Sequence, residues 1–246
     1  MRTALIGYTG FLGSSLLRQG MQFTDLYNSA NIETMAGEFD SVICCAPSAE
    51  KWRANLNPEE DAASVQKLKA TLSNIFCNEF ILISTADVFA GVIGVDEHCN
   101  PDALEPYGKN RMDLESFVKS RFPHLIIRLP GVVGPGLKKN LIFDLSHSRT
   151  PAEAKESTFQ FYPVVNLRDD IARAKTLRVS VIHLTAEPLS FNEIHDLVFG
   201  GIQGRSNGFP LRHYDVRSIY AGGGYLYSKR ESLLAIRSYA QSEACK

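Results

Sequence analysis

The stretch "LIGYTGFLGSSLL", residues 5–17, constrains the fold of this chain more than any other. An apolar run beginning near Thr3 meets three glycines, Gly7, Gly10 and Gly13, and then an amphipathic segment. Glycine adopts backbone conformations that a Cβ forbids, so evenly spaced glycines between a strand and a helix predict a tight turn. In such a turn Gly7 makes the bend, Gly10 lets the backbone approach a pyrophosphate, and Gly13 lets the helix lie close to the sheet. The first N–H groups of a helix have no acceptor within it and carry partial positive charge, which suits a phosphate. The turn thus predicts a dinucleotide cradle formed by Gly7, Thr9, Gly10, Phe11, Leu12 and Gly13.

The remainder of the chain alternates short β-rich runs with helical patterns. Strands are expected at Thr3–Gly7, Asp25–Asn28, Ser41–Ala46, Phe80–Ser84 and Leu125–Leu129, with helices near 11–19, 58–76 and 107–120. Several strands are continuous apolar runs, as in a parallel sheet covered on both faces. This alternation predicts an α/β protein, a Rossmann-type doubly wound sheet. Residues 1–130 form the expected dinucleotide-binding core. Residues 131–246 are expected to complete the sheet and build a small substrate lobe, with strand-like "FQFYPVV" and Val181–Leu184, helix-like "RDDIARAK", and a closing helix near 229–239. Only a turn or a degenerate element fits between Asn28 and Asp40. The segment from Pro47 to Pro58 reads as a loop at the strand edge where open α/β sheets bind ligands, and its Lys51, Trp52 and Arg53 could meet a phosphate and a flat ring.

Bulk properties exclude several classes. The net charge of −1 leaves no basic footprint for nucleic acid, and no polybasic tract suggests an anionic membrane surface. No apolar run approaches the roughly 20 residues of a spanning helix, and glycines interrupt what would be a signal-peptide core. The five cysteines, Cys44, Cys45, Cys77, Cys99 and Cys245, are odd in number and include no C-x-x-C pair, so neither a disulfide framework nor a zinc site is expected. The six histidines show no metal-ligand spacing, and no metal is expected. A reducing cytoplasm fits this cysteine usage.

The end of the second expected strand bears on the cofactor. An acidic residue about 20 residues after the turn would bind the ribose 2′-hydroxyl of NAD. Asn28 and Ser29 stand there instead, and both can donate hydrogen bonds to a 2′-phosphate. NAD and NADP both stay open, with the lean towards NADP.

Two downstream stretches carry chemistry: "ISTADVF" at the end of the fourth strand and "PYGKNRMDLE" at a helix start. With "GYTGFLG", "FDSVICCAP" and "IIRLPGVVGPG" they occur in the order and spacing of the extended short-chain dehydrogenase/reductase family, which the chain resembles over most of its length. That family comprises nucleotide-sugar epimerases, dehydratases and reductases. The resemblance implies that Tyr107 is the general acid/base and that Thr85 polarises the substrate oxygen. It also places Asn31 and Ile32 beside the adenine, Ala46 and Pro47 along the cofactor, and Pro130 near the nicotinamide. Members of the family often form homodimers through the two helices placed here near 58–76 and 107–120.

The chain departs from the family pattern in informative places. Arg111 replaces the lysine four residues after the tyrosine, and a planar guanidinium is no simple stand-in for an ammonium. Lys109 is two residues from Tyr107 and points about 200° away on a helix. Gly131 stands where many epimerases present asparagine, and Ala86 where dehydratases carry an acid, although Asp87 follows. The pattern looks most like the family's 4-keto-sugar reductases. It implies a nucleotide-sugar substrate met by Asp87, Lys138 and Asn140, with Tyr107, Thr85 and Arg111 catalytic. The competing expectation is a catalytically degenerate dinucleotide-binding scaffold or redox sensor.

Overall fold

The computed structural model of the chain describes residues 1–147, 156–199 and 211–244. The chain forms two compact units. The first gathers Met1–Gly91, Cys99–Arg128 and Arg168–Ile182, and the second Val92–His98, Leu129–Leu167 and His183–Lys246.

The first unit is built on a six-stranded sheet. Its order is Val181–His183, His124–Leu129, Phe80–Thr85, Ser41–Cys44, Thr3–Ile6 and Asp25–Tyr27. Thr3–Ile6 pairs in parallel with both Asp25–Tyr27 and Ser41–Cys44, which in turn pairs in parallel with Phe80–Thr85. The chain runs outward from Thr3–Ile6 in one direction, then returns to its other side, so the strand order reverses between Thr3–Ile6 and Ser41–Cys44. The carboxyl ends of strands at such a reversal open a crevice that binds ligands. Every apolar residue of Thr3–Ile6 and Ser41–Cys44 is buried. They share a core with Val65, Leu68 and Leu72 of the helix Pro58–Leu72 and with Leu114 and Val118 of the helix Pro106–Arg121. The Phe80 and Phe122 rings stack in it at 4.7 Å.

Three expectations need correction. The helix expected over 58–76 ends at Leu72, and Ile75–Cys77 is a strand paired in parallel with Gly37–Phe39. The segment Asn28–Asp40 therefore holds a strand as well as a 3₁₀ turn, Ile32–Thr34. The expected loop from Pro47 to Pro58 contains the helix Lys51–Leu56.

In the second unit Phe161–Pro163 pairs with Gly131–Val133, Thr158–Phe159 with Leu189–Ser190, and Asp215–Val216 with Ile93–Val95. The closing helix Lys229–Ala244 is longer than expected, and Ser232 Oγ donates to the Phe161 carbonyl at 3.0 Å. Gly131 is explained here: a Cβ would lie 2.6 Å from the Gln160 carbonyl oxygen. An asparagine could not occupy this backbone without moving the neighbouring strand. Cys245 lies outside the described residues.

Candidate active site

The glycine turn has the geometry its sequence predicts. Gly7 has φ +84° and donates its N–H to the Tyr27 carbonyl at 2.7 Å. A Cβ on it would lie 3.1 Å from the Cys45 carbonyl, so the turn hugs the end of the neighbouring strand. Gly10 precedes the helix Phe11–Arg18, and no side chain caps that helix's first turn. A Cβ at Gly13 would sit 2.2 Å from the Gly7 oxygen, so only glycine lets helix and turn approach this closely. Thr9 and Gly10 are exposed, Phe11 and Leu12 half-buried. A close-packed turn with an open, uncapped helix N-terminus at a strand-order reversal fits a dinucleotide pyrophosphate.

The residues after the second strand are tied into a turn. Asn28 Oδ1 accepts from Ala30 N at 2.9 Å, and the Asn28 N–H donates to Asn31 Oδ1 at 2.7 Å. Asn31 Nδ2 donates to the Leu26 carbonyl, Ser29 is exposed and Ile32 is buried. The Asn28 and Asn31 side chains thus shape this edge.

Downstream, a glycine again sets the geometry. A Cβ on Gly108 would lie 2.2 Å from the Asp87 carbonyl oxygen and 2.6 Å from the Ala103 Cβ. This packing brings the start of the helix Pro106–Arg121 against the strand end at Thr85. A cavity of about 50 Å³ is lined by Leu12, Ala46, Pro47, Thr85, Tyr107 and Arg111, among others. One small space thus joins Leu12 with Ala46 and Pro47, expected along the cofactor, and with the three expected catalytic residues.

Tyr107 is buried, and its N–H donates to Asn55 Oδ1 at 2.9 Å. Burial pushes its hydroxyl above the usual phenol range; Arg111 opposes this, Asp87 adds to it, and hydrogen bonding to Thr85 and Arg111 works against it. The Thr85 hydroxyl accepts from the Asp87 N–H at 3.1 Å. Arg111 places its Cζ 4.4 Å from the centroid of the Tyr107 ring. Its guanidinium makes two 2.9 Å bonds to Asp61 and one of 2.7 Å to the Ser48 carbonyl. Lys109 is exposed.

Several polar partners were absent from the sequence reading. Lys51 pairs with Asp87 at 2.9 Å and with Glu105 at 3.1 Å. Burial opposes the charge on Lys51, yet these two carboxylates outweigh it and raise the ammonium above its ordinary value. Arg53 pairs with Glu60 and Glu50, and Trp52 is 66% exposed. Behind Thr85, Ser84 Oγ donates to Glu115, which forms a buried ion pair with Arg128. Glu115, four residues beyond Arg111 on the same helix face, offered a helical-spacing signal; Asp61 offered none, being 50 residues from its partner.

In the second unit Pro130 is half-buried and Lys138 exposed. Asn140 has φ +116°, caps the helix Leu141–Ser146 through Oδ1 to Ile142 N and Phe143 N, and donates from Nδ2 to the Val132 carbonyl. Its amide therefore has a structural task that sequence reading did not include. Tyr162 is fully buried, and the Tyr225 hydroxyl donates to Asp215. Burial pushes the Cys44 thiol up to about 12 and the Cys45 thiol further, so neither is a ready nucleophile. Among the described residues no His, Cys, Asp or Glu group could hold a metal, and no helix is long and apolar enough to cross a membrane.

No protein-family model and no curated protein matches the sequence. Solved structures do match its fold. MoeE5 in complex with UDP-glucose and NAD aligns at TM-score 0.77 and 16% identity, over 99% of this chain and 100% of that one. A dTDP-4-dehydrorhamnose reductase from Clostridium acetobutylicum aligns at 0.71 and 16%, over 98% and 99%. RMD from Pseudomonas aeruginosa, complexed with NADPH, aligns at 0.70 and 15%, over 98% and 100%. The chain thus has the fold that its resemblance to the extended short-chain dehydrogenase/reductases implies.

Proposed function

We propose that the chain is an NAD(P)-dependent oxidoreductase acting on a nucleotide-activated sugar, with 4-keto-sugar reduction as its reaction. The observation that carries this reading is the single cavity shared by Leu12 of the glycine turn with Thr85, Tyr107 and Arg111. A pure binder has no need of a buried tyrosine and a threonine beside the cofactor path. The similar folds include one complexed with NAD, one with NADPH and one that is a keto-sugar reductase, which supports the class without selecting the cofactor.

A nicotinamide dinucleotide, when bound, supplies hydride to the keto carbon. The free N–H groups at the start of the helix Phe11–Arg18 would hold its pyrophosphate, Asn28, Ser29, Asn31 and Ile32 would flank its adenosine end, and Ala46 and Pro47 would line its other half. Tyr107 gives its hydroxyl proton to the carbonyl oxygen as charge grows there. Thr85 hydrogen-bonds the same oxygen and stabilises that charge. Arg111 orients the tyrosine and would meet the ribose. Asp87 is assigned to the substrate. The cytoplasm is the proposed compartment and a homodimer the proposed state.

Fluorescence titration with NADH and NADPH tests the cofactor, and consumption of reduced cofactor with nucleotide 4-keto-sugars tests the reaction. Tyr107→Phe should lose about a hundredfold or more in turnover and keep cofactor affinity. Binding of neither dinucleotide would sink the reading. Binding without turnover on any keto-sugar would leave the scaffold alternative.

A further inference from the structure

The charges around Tyr107 support an inference that deepens the proposed reading and rests on it for its catalytic meaning. A lysine four residues after the tyrosine would bring a compact cation towards the phenol. Arg111 also acts to lower the Tyr107 hydroxyl, by charge and by hydrogen bond, but its guanidinium is bound to a partner. Its guanidinium is 5% exposed and the Asp61 carboxylate 10%, and the two form a bidentate pair. With the bond to Ser48, three of the five guanidinium N–H groups are held by these partners. Asn110 Nδ2 also donates to Asp61 at 2.7 Å, so two successive residues of the tyrosine helix grip one carboxylate. The carboxylate comes from the neighbouring helix Pro58–Leu72. A bidentate counter-charge offsets part of a cation's field beyond the pair.

The other charged or titratable groups around Tyr107 do not restore that cation. Asp87 is negative and bonded to Lys51, and Lys51 is shared with Glu105. Cys45 lines the same cavity, and burial keeps its thiol protonated.

We infer that Asp61 is a positioning residue that clamps Arg111 over the Tyr107 ring and offsets its charge, so that Tyr107 is held as a proton donor. Burial of the hydroxyl acts in the same direction. A phenol kept protonated suits carbonyl reduction: hydride from the reduced nicotinamide forms the new C–H bond, the carbonyl π pair moves to oxygen, and that oxygen takes the Tyr107 proton. It opposes the reverse start, in which an alcohol must give its proton to a phenolate. The clamp therefore biases the site towards reduction over the alcohol oxidation with which an epimerase cycle begins.

The test reads Tyr107 in the ligand-free protein. With ¹³C-labelled tyrosine, the Cζ resonance of Tyr107 is assigned by its loss in Tyr107→Phe and followed against pH. Asp61→Asn should raise the tyrosine's ionisation constant about tenfold, because Arg111 is left uncompensated. Asp61→Glu keeps the charge and should stay near wild type. Asp61→Asn/Arg111→Gln replaces a neutral pair by a neutral pair; it should stay within about threefold of wild type, and it serves also if the single variant fails to fold. An unchanged or smaller constant in folded Asp61→Asn, or a tenfold fall in the double variant, overturns the inference. A shift as expected in a protein that reduces no keto-sugar would instead overturn the proposed activity and leave the clamp standing.

Discussion

Gly108→Ala probes the packing that sets Tyr107 against Thr85. The added Cβ would lie 2.2 Å from the Asp87 carbonyl oxygen and 2.6 Å from the Ala103 Cβ. Non-bonded carbon contacts settle near 3.5–4.0 Å, so the helix start must retreat by about 1 Å. The helix has little freedom to do so, because the Tyr107 N–H is fixed to Asn55 and the Arg111 guanidinium to Asp61 and Ser48. Overpacking of this kind costs about 1–3 kcal/mol. In a protein of this size that lowers Tm by roughly 2–12 °C. A displacement of about 1 Å between reacting groups costs on the order of a hundredfold in rate. Gly108 lies outside the glycine cradle, so dinucleotide affinity should stay near wild type. Thermal melting, dinucleotide titration and keto-sugar reduction on the same preparation separate these effects. A variant that melts with the wild type would refute the steric argument, since no flexible side chain stands at the 2.2 Å contact to give way.

Glu115→Gln should lower Tm by about ten degrees, because it leaves Arg128, 2% exposed, without its carboxylate at a cost of about 3–5 kcal/mol; a melt within two or three degrees of wild type would contradict this. Gly13→Ala drives a Cβ into the Gly7 carbonyl and should weaken NADH and NADPH together, whereas loss of only one would place the effect at the ribose instead. The hydrogen bond from Arg2 holds Asp25 below the usual carboxylate range, despite some opposing desolvation. Its contribution to stability is complete above the unfolded carboxylate value and is lost as pH falls through the depressed folded one. Asp25→Asn should therefore flatten the acid limb of a stability–pH curve below about pH 4 and leave its alkaline limb unchanged.

Much of the sheet was legible because several of its strands are continuous apolar runs. The strand Ile75–Cys77 was not, for a physical reason. Leu68, Leu72, Ile75 and Phe76 keep helical spacing, so the local pattern extends the preceding helix. What makes Ile75–Cys77 a strand is its pairing with Gly37–Phe39, a partner that local periodicity cannot reveal. The site divides in the same way. Residues within one motif, such as Thr85 and Asp87 or Tyr107 and Arg111, could be listed from the resemblance to the family's motifs. Their partners Asp61, Ser48 and Lys51 come from other segments of the chain. Asn140 is an intermediate case: its position was singled out, but its cap on Leu141–Ser146 depends on a backbone with φ +116° that its residue type does not announce.

The segment from Pro47 to Pro58 shows how much such a partner can change a reading. In isolation Lys51 and Arg53 are two cations on a loop at the ligand edge. Folded, they lie on the helix Lys51–Leu56 and have carboxylate partners within the first unit. Asn55 has the larger consequence. A helix start leaves its first N–H groups without acceptors, and Glu105 offers no side-chain cap to the helix Pro106–Arg121. Asn55 Oδ1 accepts the Tyr107 N–H, and Asn55 Nδ2 donates to Glu105 at 3.0 Å. The cap is supplied from a segment 52 residues away. Lys51 on the same short helix ties Glu105 to Asp87, whose carbonyl meets Gly108. The first turn of the tyrosine helix, which would fray if left uncapped, is thereby anchored at Tyr107, Glu105 and Gly108. The segment that resembled a phosphate-binding loop thus fixes the tyrosine's backbone, while Asp61 and Ser48 fix the arginine beside its ring.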